Sequence, residues 1–129
     1  MRDEFDVVTA WHVVEHVPDP VAFIADLARV TRPGGLVLIE TPVWGEIAEA
    51  FGAEWRYLLP CEHVHLFTPD TLARLLAGAG LVELGAVRFG SGNGEGSVPA
   101  HVKRAMDSLA KRLGIGDTRA SACVRRARA

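Results

Sequence analysis

Apolar residues Phe5, Val7, Val8 and Ala10 form a short, nearly continuous run, the pattern of a strand covered on both faces, and a second such run extends from Leu36 to Thr41. Between them Phe23, Ile24, Leu27 and Val30 recur at helical spacing. Asp19 can cap that helix, Pro20 suits its first position, and Pro33, Gly34 and Gly35 end it. A strand, helix and strand of this length must cross over, which makes the two strands a parallel pair.

Past Pro42 the segment GEIAEAFG reads as a short helix, followed by an irregular aromatic stretch that ends at Phe67. Thr68 caps a helix that opens on Pro69 and Asp70 and presents Leu72, Leu75, Leu76 and Ala79, with Gly78 and Gly80 at its end. Leu81 to Phe89 is a third strand. After a glycine-rich loop, Val102, Met106, Leu109 and Leu113 define another helix stopped by Gly114, and Arg119 to Arg126 is a last strand. The pattern predicts an α/β fold with a mostly parallel sheet of about four strands, over 5–11, 36–41, 81–89 and 119–126, flanked by helices. It contains no internal repeat.

Composition narrows the class. A chain of 129 residues with 49% hydrophobic content is one small globular domain. No window is apolar enough to span a bilayer and MRDEFD lacks the order of a secretory signal, so the expected location is the cytoplasm, with no membrane partner. Cys61 and Cys123 are read as reduced, buried thiols. Residues 101–129 carry eight Lys/Arg against two Asp/Glu, whereas 1–100 carry six against fourteen. Because Lys103, Arg104, Lys111 and Arg112 lie opposite an apolar stripe, they read as solvated helix surface rather than a nucleic-acid contact.

Three clusters offer chemistry. His12, Glu15 and His16 spell H-x-x-E-H, the inverted zinc-protease signature, and Glu62, His63 and His65 add further donors. That signature needs a helix, but Val7 and Val8 make the approach a strand and Pro18 and Pro20 forbid a long helix, so no metal is expected and the segment reads as a strand-end turn with exposed polar residues. Gly90, Gly92 and Gly94 follow a strand and precede a helix, as a dinucleotide cradle does; the residue two before the first glycine is Arg88 rather than an acid, so the loop reads as a flexible connector. Finally, 42–67 gathers Trp44, Trp55, Arg56, Tyr57, His63 and His65.

The run from Phe5 to Pro42, with Glu15-His16, Asp19-Pro20, Arg29 and Pro33-Gly34-Gly35, together with EHVHLFTPDTLARLLAGAGL at 62–81, resembles the C-terminal half of the class I S-adenosylmethionine-dependent methyltransferase domain, of small-molecule type. The resemblance covers 5–89. It implies a Rossmann-like fold with strand order 3-2-1-4-5-7-6, the last strand antiparallel, of which residues 1–129 would supply the fourth strand onward. It also implies S-adenosylmethionine as cofactor, with methyl transfer to an oxygen, nitrogen or carbon of a small-molecule acceptor. Trp11, His12, Glu15 and His16 would border the methionine end of the cofactor. Trp44, Trp55, Arg56, Tyr57 and His65 would face the acceptor. His63 is the candidate catalytic base, or else a histidine bonded to backbone beneath the aromatic loop. The acidic residue before a G-x-G-x-G turn and the acid that holds the ribose are missing, so binding of the cofactor by this chain alone is expected to be weak. The alternative is a non-catalytic remnant or interaction module. Either way, the Phe5 to Trp11 strand would be a sheet edge open to self-association or to a separate N-terminal half.

Overall fold

The computed structural model describes residues 4–94 and 96–127. Its strands are β1 (Phe5–Trp11), β2 (Thr31–Pro42), β3 (Leu81–Phe89) and β4 (Thr118–Arg125); its helices are α1 (Pro20–Val30), α2 (Glu46–Phe51), α3 (Pro69–Gly78) and α4 (Ala100–Leu113). A short 3₁₀ turn, Gly52–Glu54, follows α2.

The sheet runs β1-β2-β4-β3. β1 pairs with β2 in parallel, whereas β4 is antiparallel to both of its neighbours. β1, β2 and β3 therefore point the same way, and Trp11, Pro42 and Phe89 mark one end of the sheet. This is the order expected for the fourth to seventh strands of the resembled fold, and β1 lies at an edge. Phe5, Val7 and Trp11 are each about half exposed there, at 53%, 50% and 50%.

Helix starts are set locally. The Asp19 carboxylate accepts the Ala22 N–H at 2.9 Å, and the Thr31 hydroxyl closes the far end on the Leu27 carbonyl at 2.7 Å. Thr68 and Thr71 form a reciprocal capping box at the start of α3. Ile24 and Ala28 of α1, Leu72 and Leu76 of α3, Val37 and Ile39 of β2 and Cys123 of β4 share one core. Each large aliphatic side chain there contributes roughly 1.5–3 kcal/mol of burial free energy. That same burial, with a smaller contribution from Glu83, pushes the Cys123 thiol up to about 11.

Four expectations change. β2 starts at Thr31 rather than Leu36, because Thr31 already bridges to Phe5 before the register slips and resumes at Val7 and Leu36. Gly34, at φ 77°, lies in that irregular stretch, and a Cβ on Gly35 would sit 2.7 Å from the Thr31 methyl. Cys61 is exposed rather than buried, since it sits in the irregular segment. The apolar stripe of α4 is not core: Val102, Met106, Leu109 and Leu113 remain 36–60% exposed, and the buried side of the helix is Ala110. The glycine loop is not an open connector, because Gly90, Ser91 and Gly92 are buried. No helix among the described residues is long and apolar enough to cross a membrane.

Candidate active site at the carboxyl ends of the parallel strands

In open α/β sheets ligands lie beyond the C-terminal strand ends, and the chemical side chains of this chain collect there. β1 stops at Trp11, and His12 turns the chain with φ 51°, a left-handed conformation that non-glycine residues hold only when their surroundings enforce it. Two bonds enforce it here: the His12 N–H donates to the Glu40 carbonyl at 2.8 Å, and His12 Nε2 donates to Glu40 Oε1 at 2.9 Å. His12 Nδ1 lies 3.3 Å from Glu15 Oε1 on the other side.

The turn closes as the His16 N–H donates to the Val13 carbonyl at 2.9 Å, which folds Glu15 inward. Glu15 is 1% exposed, against the expectation of an exposed turn carboxylate. Its Oε2 accepts the Thr41 hydroxyl at 2.8 Å, while Oε1 has no hydrogen-bond partner. The Glu15 carbonyl accepts the Val64 N–H at 2.9 Å and the His65 N–H at 3.2 Å. Those two long-range bonds draw the aromatic segment over the turn, and they have no local sequence signature.

They also bring His63 to His16. The ring centroids are 4.7 Å apart, edge to face, and one donor atom from each of Glu15, His16 and His63 lies within 4.8 Å of the other two. His16 Nδ1 donates to the Glu62 carbonyl and His63 Nδ1 to the Tyr57 carbonyl, both at 2.8 Å. A carbonyl only accepts, so each Nδ1 carries a proton and each neutral ring presents an Nε2 lone pair. The site thus sets two oriented imidazoles against a buried carboxylate with a free oxygen. Among the described residues this is the one cluster able to ligate a metal ion, and it offers three donors; its carbonyl-oriented imidazoles suit a metal ligand and a proton acceptor alike. His16 and His63 meet in this cluster, whereas His12 faces Glu40 and His65 stacks on Phe67 at 6.0 Å.

Behind this group is Asp117, fully buried just before β4. It accepts Trp55 Nε1 at 3.0 Å, Arg56 Nε at 3.0 Å and a terminal Arg56 nitrogen at 2.9 Å. Burial alone would ease the proton off Arg56, but the hydrogen bonds and charge of Asp117 outweigh it and raise the guanidinium above its ordinary range. Trp55, 2% exposed, is buried behind the loop and, with Arg56, fastens it to Asp117. Trp44 packs edge-on against Trp55 at 5.4 Å. The Tyr57 ring lies 5.9 Å from that of His12 and 6.0 Å from that of His63. Asp117 escapes sequence reading because it is a lone acid in a basic stretch, with partners some sixty positions away.

A cofactor cradle is not found in these residues. The position of a Cβ on Gly90 is filled by Asp117 and Arg56, and that on Gly92 lies 2.5 Å from Phe51 and 2.7 Å from Ile47. Gly90 and Gly92 thus admit the protein's own side chains, whereas the space beside Gly94 is open.

A family profile described as a methyltransferase domain matches residues 2–84. Over 85 residues the chain is 39% identical to a ubiquinone biosynthesis O-methyltransferase from Thiobacillus denitrificans, covering 60% of this chain and 37% of that protein. It is 41% identical over 85 residues to the enzyme of the same name from Aromatoleum aromaticum, covering 60% and 36%. The chain spans little more than a third of the length of these relatives. Among solved structures, a SAM-dependent methyltransferase from Thermotoga maritima superposes with a TM-score of 0.69 at 15% identity, over 98% of this chain and 58% of that one. At that identity the likeness concerns the fold.

Proposed function

From a chain that belongs to the class I S-adenosylmethionine-dependent methyltransferase family, we propose that these residues form the acceptor side of a small-molecule O-methyltransferase, with His63 as the base. The observation that carries this reading is the bond from His63 Nδ1 to the Tyr57 carbonyl, which leaves Nε2 as the basic nitrogen of a ring that lies in one cluster with Glu15 and His16. Oxygen is favoured as acceptor because the sequence relatives are named O-methyltransferases and because a neutral hydroxyl must shed its proton as it is methylated.

The cofactor, when bound, supplies an electrophilic methyl on a sulfonium. The described residues do not fit it as a whole: the Trp11 to His16 turn can flank the methionine end, but nothing cradles the adenosine. This chain's part is therefore the acceptor's. The acceptor O–H proton passes to His63 Nε2, the Tyr57 carbonyl holds the ring in place through Nδ1, and the nearby Glu15 carboxylate favours the imidazolium that results. Such positioned proton transfer contributes typically 10²–10⁴-fold.

The second reading, an interaction module without its own cofactor site, is favoured by the exposed apolar edge at β1. The two separate in an assay of radiolabelled methyl transfer to a phenolic acceptor, with a cofactor-binding half of the family supplied in trans or fused. The enzyme reading expects transfer that falls at least 100-fold in His63→Gln. Transfer unchanged by that substitution contradicts the role of His63, and no transfer with a folded, cofactor-loaded assembly favours the module.

A further inference from the structure

A cleft of ≈ 360 Å³ opens on the far side of Tyr57, between that residue, Phe89 at the end of β3, and the face of α4 that carries Lys103, Asp107 and Lys111. Its position follows from topology. β3 ends at the same side of the sheet as β1 and β2, and the Tyr57 ring that lines the cleft also stacks on His63 at 6.0 Å.

Its charge is uneven. Asp107 is spent: Oδ1 accepts the Ser91 N–H at 2.9 Å and the Ser91 hydroxyl at 2.6 Å, and Oδ2 accepts Lys103 Nζ at 2.7 Å. Arg56 is neutralised by Asp117 from behind, and the centre of its guanidinium lies 4.6 Å from the centroid of the Tyr57 ring. Lys111 has no acidic partner within 4.0 Å among the described residues. The cleft thus joins the aromatic and planar surfaces of Tyr57, Phe89 and Arg56 to a polar helix face on which, among the described residues, the Lys111 ammonium is uncompensated, and the volume lies at the small end of the usual ligand range.

We propose that this cleft binds the anionic end of a flat, largely apolar acceptor, a carboxylate or phosphate held by Lys111 with Lys103 beside it, the body lying along Tyr57 and Phe89. The proposal rests on the acceptor-side reading above, and it names the acceptor class: an aryl acid or aryl phosphate whose reacting hydroxyl lies at the opposite end, toward His63.

The test is NMR and calorimetric titration of the whole chain with phenylacetate, phenyl phosphate and neutral phenylacetamide. The expected result is that at least one anion shifts the Tyr57 and Lys111 signals, binds at least tenfold tighter than the amide, and weakens as salt rises. Phenylacetate and phenyl phosphate, compared with each other, tell which anion is preferred. Lys111 is exposed, so Lys111→Gln keeps the fold; it should lower affinity for the preferred anion about fivefold, leave the amide unchanged, and be restored by Lys111→Arg. Equal binding of acid and amide, an anion affinity indifferent to Lys111→Gln, shifts confined elsewhere, or no binding at millimolar concentration overturns the proposal. His63→Gln keeps anion binding if the cleft is the site. Loss of transfer in that variant alone thus concerns the base, and loss of Lys111-dependent binding alone concerns the cleft.

Discussion

His63 donates its Nδ1 proton to the Tyr57 carbonyl across 2.8 Å, while the Tyr57 ring stands over the His63 ring at 6.0 Å, so one residue fixes both the tautomer and the plane of the imidazole. The consequence is spectroscopic. Nitrogen-15 shifts of neutral His63 should report the Nδ1–H tautomer, opposite to the Nε2–H form that prevails in free histidine. Observation of Nε2–H as the main neutral tautomer would remove the basis for His63 as a base at Nε2.

Asp117 should matter for stability out of proportion to its place at a strand start. Asp117→Ala leaves Arg56, whose side chain is 25% exposed, without its counter-charge and removes the acceptor of Trp55 Nε1. Breaking a buried pair by deleting one partner costs about 3–5 kcal/mol. Urea unfolding followed by Trp55 fluorescence should show a loss of that order. The His16 and His63 signals should move as well, because the loop that carries Tyr57 is no longer anchored.

Thr41→Val probes Glu15. The two side chains are nearly isosteric, but valine cannot donate to Oε2, which leaves a 1% exposed carboxylate with neither oxygen hydrogen-bonded. A loss of about 1–3 kcal/mol is expected, with most of it recovered in Thr41→Ser. An unchanged unfolding midpoint for Thr41→Val would mean that water or an ion satisfies Glu15.

The docking of α4 should be acid-sensitive. Partial burial would raise the Asp107 carboxyl, but Lys103 and Ser91 outweigh it and hold it below its ordinary 3.8. A depressed folded value means that the carboxylate stabilises the fold above pH 3.8 and that this contribution disappears as pH falls through the lower, folded value. The difference in urea midpoint between wild type and Asp107→Asn should therefore be steady near neutrality and shrink below that point. A difference that instead grows on acidification contradicts the assignment.

Much of the fold was legible because its signals are local. Asp19 with Pro20, Thr68 with Pro69 and Gly114 mark helix ends within one turn of chain, and the apolar runs at 5–10 and 36–41 mark strands, but only the second is covered: Phe5 and Val7 of β1 stay about half exposed at the sheet edge, because apolar content does not report which neighbour covers a strand. The candidate site was legible in membership but not in arrangement. Glu15, His16 and His63 stand out as residue types, yet their convergence depends on the Glu15 carbonyl meeting Val64 and His65 and on Thr41 reaching Glu15 from β2. Asp117 was illegible for the same reason. The stripe of α4 misleads in the opposite sense, since helical periodicity reports an amphipathic face without reporting what covers it.

If, as proposed, these residues make an acceptor wall and the cofactor cradle comes from another segment, the chain by itself should not hold the cofactor. Calorimetry of S-adenosylmethionine against the purified 129-residue chain tests it most directly. The expected result is no saturable heat up to millimolar cofactor, and binding that appears once a cofactor-binding half of the family is added. Stoichiometric, micromolar binding by the chain alone would contradict it and make these residues an autonomous enzyme.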